Sequence, residues 1–243
     1  MNPALLRDAE KLYKNVAKEI VKIKKTEVVI CPPFLYIEKL KKFSKKIYMG
    51  AQNSSKEEIG AFTGEVSSVM LEGMGVKYVI LGHSERRAQG ENNEDINKKI
   101  KSALSAGLLP ILCVGENVRD ENHEYFNFVK KQTEECLAGI SKNLISKIVI
   151  AYEPVWAISS TPDRRDATAE DSIEMVIFIK KVLADKFGSD ALGVRILYGG
   201  SVNEKDAYGF LEHGGVDGLL VGRASLDAEK FGGIIKICET LVK

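Results

Sequence analysis

The chain has 243 residues, 44% of them hydrophobic, and its 35 basic and 34 acidic residues leave a formal net charge of +1. This balance argues against nucleic acid or an anionic membrane surface as a partner, and no apolar stretch reaches the roughly 18 residues that a membrane span needs. Four scattered cysteines without metal-ligand spacing indicate reduced thiols in a cytoplasmic protein, with no bound metal expected.

The first predicted element is a helix, not a strand. Asn2 is expected to cap this helix and Pro3 to occupy its first position, where a missing N–H costs nothing. Apolar residues recur with helical spacing from Leu5 onward, so we expect an amphipathic helix that runs to about Lys24. A chain that goes on to repeat strand–helix units therefore opens without a strand of its own.

Short apolar runs rich in β-branched residues follow, and they are typical of strands that are buried on both faces of a parallel sheet. The predicted strands are Val28–Cys31, Ile47–Ala51, Tyr78–Gly82, Leu109–Val114, Ile148–Tyr152, Val194–Tyr198 and Gly218–Val221. The further predicted helices are Phe34–Phe43, Val66–Met74, Asn93–Ala106, Tyr125–Ala138, Ala169–Phe187, Glu204–Glu212 and Leu226–Val242. No linker divides residues 1–243, so we expect one α/β domain with seven strands and eight helices.

Parallel strands that alternate with helices form either an open doubly wound sheet or a closed barrel. No G-x-G-x-x-G motif follows an early strand, which argues against a dinucleotide-binding sheet. Polar or glycine-rich residues instead come directly after one strand after another, at the strand ends where barrel enzymes assemble their sites. The pattern favours an eight-stranded (β/α) barrel that lacks its first strand and is thus incomplete at the N-terminus.

Glycine-rich turns follow the last two predicted strands, at Gly199-Gly200-Ser201 and at Gly222-Arg223. Glycines let backbone N–H groups approach an anion, and a phosphate site after the last two strands recurs in barrels. Ordinary turn glycines are the alternative interpretation. Because two such turns follow the last two strands in succession, the pattern favours a phosphate-binding site.

Two strand-end residues are candidates for acid–base chemistry. His83 can present a neutral imidazole to a carbonyl oxygen, although a lone histidine is more often structural; His123 and His213 are interpreted as surface residues. Glu153 ends a buried strand three residues before Trp156, and apolar surroundings raise the basicity of a carboxylate toward that of a general base. The alternative interpretation of Glu153 is a structural glutamate at the end of a strand, paired with a neighbouring arginine.

Taken together, these motifs resemble the triosephosphate isomerase family in order and spacing, over essentially the whole chain. The matching segments are Ala51-Gln52-Asn53, Gly60 to Glu65, Gly82 to Arg87, Cys113 to Glu116, Ala151 to Ile158, Tyr198 to Val202 and Asp217 to Leu226. The resemblance implies interconversion of dihydroxyacetone phosphate and D-glyceraldehyde 3-phosphate through an enediolate, without a cofactor. Another phosphosugar barrel enzyme is a less favoured interpretation.

The resemblance also implies roles for individual residues. Glu153 would move the proton between two carbons, His83 would polarise the carbonyl oxygens, and Glu85 would be a buried acidic partner in the site. Cys113 would pack nearby. The loop after Trp156 would close over the substrate and exclude water.

The substrate phosphate would be held by Ser201 beside Gly200, and by the N–H groups of Gly222 and Arg223. Two departures from the family pattern affect this site. Arg223 replaces the second glycine of the last turn, and Ser159 stands where the family has a phosphate-binding glycine in a lid that here is longer and has no glycine. We expect a functional lid with a different hinge.

A homodimer is implied by the loop around Thr63, which resembles the tip that inserts beside the active site of a second subunit. The apolar side chain of Phe62 fits this interpretation.

The family also opens with a strand that ends in Asn-Trp-Lys-Met-Asn, of which Met1-Asn2 match only the last two letters. We therefore expect Val28–Cys31 and Gly218–Val221 to be unpaired sheet edges, and the isomerase activity of these 243 residues to be strongly reduced. The alternative is a nearly silent phosphate-binding protein or a subunit that needs a complementing strand.

Overall fold

The computed structural model describes residues 2–158 and 164–242. Its seven strands form one parallel sheet in chain order, in which each strand is hydrogen-bonded to its neighbours in the sequence, and the first and last strands have one such neighbour each. The strands are β1 (Val28–Ile30), β2 (Ile47–Ala51), β3 (Tyr78–Leu81), β4 (Leu109–Val114), β5 (Val149–Tyr152), β6 (Ile196–Tyr198) and β7 (Gly218–Leu219).

The sheet curls and carries helices on its outer face, which confirms the predicted barrel fold with seven strands. The helices are α1 (Leu6–Glu19), α2 (Ile37–Leu40), α3 (Ser68–Gly73), α4 (Ser84–Ala88), α5 (Asn93–Ser105), α6 (Glu124–Cys136), α7 (Ala169–Phe187), α8 (Glu204–His213) and α9 (Ala228–Leu241). Short 3₁₀ turns lie at Phe34–Tyr36, Lys142–Lys147, Val155–Ala157, Ser189–Gly193 and Arg223–Leu226. Within the part of the chain described, no helix is long and apolar enough to span a membrane.

The first helix begins later than predicted. The expected cap at Asn2 and first helical position at Pro3 are wrong, because the helix starts at Leu6 and the residue before it, Leu5, makes no side-chain cap. The backbone oxygen of Leu5 accepts the N–H of Ala9, the first buried residue of the helix. Tertiary burial therefore sets the start of this helix more strongly than the local capping signal does.

Strand residues alternate between two apolar layers. Residues that face the inside of the curl form a small cluster of Tyr78, Ile111, Cys113, Val149 and Ala151. Their neighbours along the same strands point outward into the larger core beneath the helices, for example Leu112, Val114, Ile150 and Tyr152. This alternation follows from the two-residue period of a strand, with both faces buried.

An open seam separates the first and last strands. Among the described residues, β1 pairs only with β2 and β7 only with β6, so the prediction of two unpaired edges is confirmed. Outside this seam, α1 contacts α9. The Glu239 carboxylate on α9 accepts the backbone N–H groups of Lys24, Lys25 and Thr26 at 2.8–3.1 Å. These bonds hold residues 24–26 outside α1, which ends before the predicted Lys24.

Candidate active site

A cavity of about 1760 Å³ opens at the carboxyl ends of the strands. Its mouth is lined by the residues that the sequence analysis singled out as candidates on four different strand ends: His83, Glu85, Glu153, Gly200, Ser201, Gly222 and Arg223. The cavity continues down the seam past β1 and β7 to the amino ends of the strands. The structure thus brings the predicted acid–base residues and both glycine-rich turns to one place.

The closest contact in the mouth joins His83 to Glu153. Glu153 lies directly after β5 and is only 2% exposed. One of its carboxylate oxygens, Oε2, accepts the backbone N–H of Ser84 at 2.9 Å. The other, Oε1, lies 3.0 Å from His83 Nε2, in a geometry that does not form a hydrogen bond, and has no hydrogen-bond partner among the described residues. That oxygen is therefore the one left to accept a proton from a substrate.

Burial controls the basicity of Glu153. Removal from water raises the pKa of its carboxyl above the ordinary glutamate value, while the nearby imidazole of His83 and the N–H of Ser84 act in the opposite direction. Cys113, fully buried, lies close enough to contribute as well. A carboxylate in this setting is a stronger base than one in water, as the sequence analysis expected.

The orientation of His83 follows from the turn after β3. Gly82 has φ +71, and a Cβ there would lie 2.9 Å from Ile96 Cδ1 and 3.0 Å from the Arg87 guanidinium, so glycine is required. His83 then caps α4, with its Nδ1 accepting the backbone N–H of Glu85. Because Nδ1 is an acceptor, a neutral ring carries its hydrogen on Nε2, which faces the cavity mouth and Glu153.

The two glycine-rich turns face the same mouth. Ser201 Oγ is buried and has no hydrogen-bond partner among the described residues. In the second turn a 3₁₀ turn begins at Arg223, directly after Gly222, and the backbone N–H groups of both residues are at its start. A buried hydroxyl and the backbone amides of a helical start that line one cavity are suited to an anion.

Glu85 differs from its expectation. The resemblance made it a buried acidic partner, but its side chain is exposed on the first turn of α4. The reason is that α4 turns this residue toward the open cavity, where it stays exposed among the described residues. Phe62 and Thr63 are exposed in the loop between β2 and α3. The predicted phosphate contact at Ser159 lies outside the described residues.

The sequence analysis missed a buried polar cluster beside the site. Glu116 Oε1 accepts hydrogen bonds from Tyr152 Oη and Trp156 Nε1, both at 2.8 Å, and from Arg119 Nε at 3.0 Å. The guanidinium of Arg165, in the loop that follows Trp156, lies 4.2 Å from the centre of the Trp156 ring. This cluster fixes the chain immediately after Glu153, and the sequence signal for it was the Gly-Glu pair that follows β4.

Other predicted features lie outside the cavity. His123 and His213 are exposed, as predicted. The four cysteines are unpaired. Among the described residues, no group of three or more His, Cys, Asp or Glu side chains is arranged to hold a metal ion.

Comparison with known proteins identifies the family. The model of the triosephosphate isomerase family matches residues 1–238. Triosephosphate isomerase of Caldanaerobacter subterraneus subsp. tengcongensis is 47% identical over 222 residues, which cover 89% of this chain and 88% of that protein. Triosephosphate isomerase of Dictyoglomus thermophilum is 43% identical over 241 residues, covering 93% of this chain and 96% of the relative.

A solved structure gives the same result for the fold. The crystal structure of triosephosphate isomerase from Bartonella henselae, at 1.6 Å resolution, superposes with a TM-score of 0.83 at 31% sequence identity. The match covers 98% of this chain and 94% of the other. The chain therefore belongs to the triosephosphate isomerase family.

Proposed function

We propose that this chain interconverts dihydroxyacetone phosphate and D-glyceraldehyde 3-phosphate, without a cofactor. The observation that carries the proposal is the pair formed by Glu153 Oε1 and His83 Nε2, 3.0 Å apart at the mouth of the cavity. A base and a hydrogen-bond donor at this separation can act on adjacent atoms of one small substrate.

In the proposed reaction, Glu153 removes a proton from the carbon beside the substrate carbonyl. The Nε2 hydrogen of His83 stabilises the negative charge that develops on the oxygen. The hydroxyl proton of the enediolate moves to the other oxygen by way of His83 Nε2, and Glu153 returns its proton to the neighbouring carbon, so that atoms and charge balance. The raised pKa of Glu153 supports both halves of this transfer, since the group must accept the proton and release it again.

We further propose that the phosphate is held by Ser201 beside Gly200, by the N–H groups of Gly222 and Arg223, and by the N–H of Ser159. The unpartnered buried Ser201 Oγ supports this proposal. Phosphate held in this way keeps the enediolate from losing its phosphate group while the lid excludes water.

The activity of these 243 residues is proposed to be strongly reduced, because the lysine that the resemblance puts immediately before Met1 is not among them and the barrel seam is open. Loss of one preorganised donor in an enzyme site costs on the order of 10²–10³ in rate. The exposed carboxylate of Glu85 is the partner that we propose for that lysine.

A homodimer and a cytoplasmic location complete the proposal. The exposed Phe62, Thr63 and Ile59 in the loop after β2 support contact with a second copy. Unpaired cysteine thiols support a reducing compartment.

The test compares this chain with a version extended at its N-terminus by a strand that ends in Asn-Trp-Lys, and with the same extension ending in Asn-Trp-Ala. Asn2 lines the cavity, so an added strand can run along the seam. We expect isomerase activity to rise at least about 100-fold with the lysine extension, and much less with the alanine one. High activity without any extension would contradict the proposed impairment.

Two substitutions in the extended chain test the residue roles. Glu153→Gln and His83→Gln are each expected to lower kcat by about 10²–10⁴-fold without unfolding the protein. The acid limb of kcat/KM should lie above the ordinary pKa of a glutamate, since burial raises the pKa of Glu153. An inactive extended chain that is folded would disprove the isomerase assignment.

A further inference from the structure

We propose that Arg165 is a positioning residue, which holds the end of the lid against its beginning before substrate binds. The lid is the loop between the 3₁₀ turn Val155–Ala157 and the N-cap of α7 at Thr168. The inference rests on the proposed function, because it concerns how tightly the site binds a triose phosphate. Its basis is the contact of the Arg165 guanidinium with Trp156 before this loop and with Asp171 after it.

Trp156 is a fixed point at the beginning of the lid. The residue is 8% exposed, and its Nε1 donates a hydrogen bond to Glu116 Oε1 at 2.8 Å. The backbone on both sides of it is bonded as well. The N–H of Val155 donates to the Glu116 oxygen at 3.0 Å, and the N–H of Ala157 donates to the Pro154 oxygen at 2.8 Å. The indole is therefore held in one orientation, and its ring offers a stable surface to a cation.

Asp171 is a fixed point at the other end of the lid. It lies in the first turn of α7 and forms a capping box with Thr168, whose backbone N–H donates to Asp171 Oδ2 at 3.0 Å. Its backbone oxygen accepts a hydrogen bond from Arg119 Nη2 at 3.1 Å. The guanidinium of Arg119 also lies 5.6 Å from the centre of the Trp156 ring. Arg119, with a side chain only 10% exposed, thus joins the two fixed points without involving the lid.

Arg165 makes the same connection from within the lid. Its guanidinium lies 4.2 Å from the centre of the Trp156 ring, inside the range of about 6 Å for cation–ring attraction. Its Nη2 lies 3.8 Å from Asp171 Oδ1, the carboxylate oxygen that is not used in the capping box. The Arg165 side chain is 60% exposed. At an exposed site such a contact shifts an equilibrium by about 2–5-fold, which restrains the lid without locking it.

Arg165 acts through Trp156 and not on the substrate. The cavity is lined by the neighbouring residues Arg164 and Asp166 and, within the described part of the chain, not by Arg165. A loop that becomes ordered over a ligand loses conformational entropy, and a contact made before binding reduces that loss. Because Trp156 is fixed by other bonds, the contact restrains the lid alone. We therefore expect it to change the affinity for substrate and not the proton transfer.

The contact can be measured directly, because Trp156 is the only tryptophan in the sequence. Fluorescence of the ligand-free 243-residue chain reports this residue alone, so Arg165→Ala should shift the emission to longer wavelength as the ring gains access to water. Arg165→Lys keeps a cation near the ring and should restore most of the parent emission. The matched control is Arg7→Ala on α1, since Arg7 is also exposed and also lies 3.8 Å from an aspartate, Asp8. This control should leave the emission unchanged.

Ligand affinity and turnover test the consequence in the same chain. The ligand is glycerol 3-phosphate, which carries the phosphate of the proposed substrate but has no carbonyl group and cannot be isomerised. We expect Arg165→Ala to raise its Kd by about 2–5-fold. KM for dihydroxyacetone phosphate should rise by the same factor with kcat nearly unchanged, because the lost interaction is made equally with substrate and transition state. Arg165→Lys should recover most of the affinity.

Three results would overturn the role of Arg165. Unchanged Trp156 fluorescence in Arg165→Ala would show that the contact is absent. A fall in kcat at constant KM and Kd would show a structural role only, because a smaller folded fraction lowers the rate and not the affinity. Equal effects of Arg7→Ala would show a general response to lost positive charge.

The same measurements separate this inference from the proposed function. A folded parent chain that binds glycerol 3-phosphate without isomerising dihydroxyacetone phosphate would contradict the proposed function and leave the role of Arg165 in binding unaffected. A folded parent chain that does not bind glycerol 3-phosphate would contradict both.

Discussion

Gly199→Ala tests whether the position of the Glu153 carboxylate, and not only its presence, determines the rate. A methyl group at Gly199 would lie 2.9 Å from Glu153 Cγ and 3.2 Å from the carbonyl oxygen of Tyr152. Carbon atoms in contact normally lie about 3.5–4.0 Å apart. The Glu153 side chain must therefore move by roughly half an ångström or more, which disturbs its contact with His83.

The expected magnitude follows from this displacement. A misplacement of about 1 Å can cost about 100-fold in rate, so we expect kcat to fall by about 10–100-fold. This corresponds to about 1.4–2.7 kcal/mol of activation free energy. The free energy of unfolding should fall by about 1–3 kcal/mol, the usual cost of overpacking. Substrate binding through the phosphate turns, and hence KM, should change little.

The assay is isomerase turnover in the extended chain, with denaturant unfolding as the measure of folding. The matched control is Gly209→Ala in α8, where a Cβ would meet no atom within 4 Å. That variant should keep full activity and gain about 0.5–1 kcal/mol of stability. A folded Gly199→Ala protein with unchanged kcat would refute the view that Glu153 is the base held at this position.

Two further changes probe the framework around the site. Gly115→Ala should destabilise the fold by about 3 kcal/mol or more, because its Cβ would lie 1.8 Å from the backbone oxygen of Glu153. In the control variant Gly73→Ala the new Cβ meets nothing within 4 Å, so this change should be neutral or stabilising. Equal melting temperatures for the two variants would contradict this prediction. Glu239→Gln should remove part of the dependence of the free energy of unfolding on acidic pH. Partial removal from water alone would raise the pKa of Glu239. The hydrogen bonds from the N–H groups of residues 24–26 have a larger total effect and lower the pKa to about 2. The stabilisation is thus complete above the unfolded pKa near 4.5 and is lost as the pH falls toward 2, so parent and variant should differ in stability at pH 7 and converge in acid. A constant difference down to pH 2 would show that this carboxylate is not responsible.

The order of the strands and of every helix except α4 was predictable from the sequence, because the strands are largely buried on both faces and read as apolar runs. All seven predicted strands are present, with ends shifted by up to two residues. The start of α1 was not predictable from Asn2 and Pro3, since capping contributes about 1 kcal/mol and burial of a helix face contributes more.

The candidate site was predictable in its members but not in its contacts. Strand ends brought His83 and Glu153 together, as barrel topology requires. The exposure of Glu85 depends on which way α4 turns, and the bonds to Glu116 join residues up to 40 positions apart. The exposure of Glu85 has no local sequence signal, and the Gly-Glu pair after β4 points to Glu116 but not to its partners.

The bonds that join α9 to the beginning of β1 also bear on how the chain folds. Glu239 and its partner Lys24 are separated by 215 positions, and the Glu19–Lys236 ion pair spans 217. Contacts this remote carry the largest loop-closure entropy in the molecule and form late in folding. Substitutions at Glu239 should therefore speed unfolding and leave the folding rate nearly unchanged, which stopped-flow kinetics can measure. In the last step of folding, residues near the two ends of the chain would then come into contact, after the strands and helices between them have assembled.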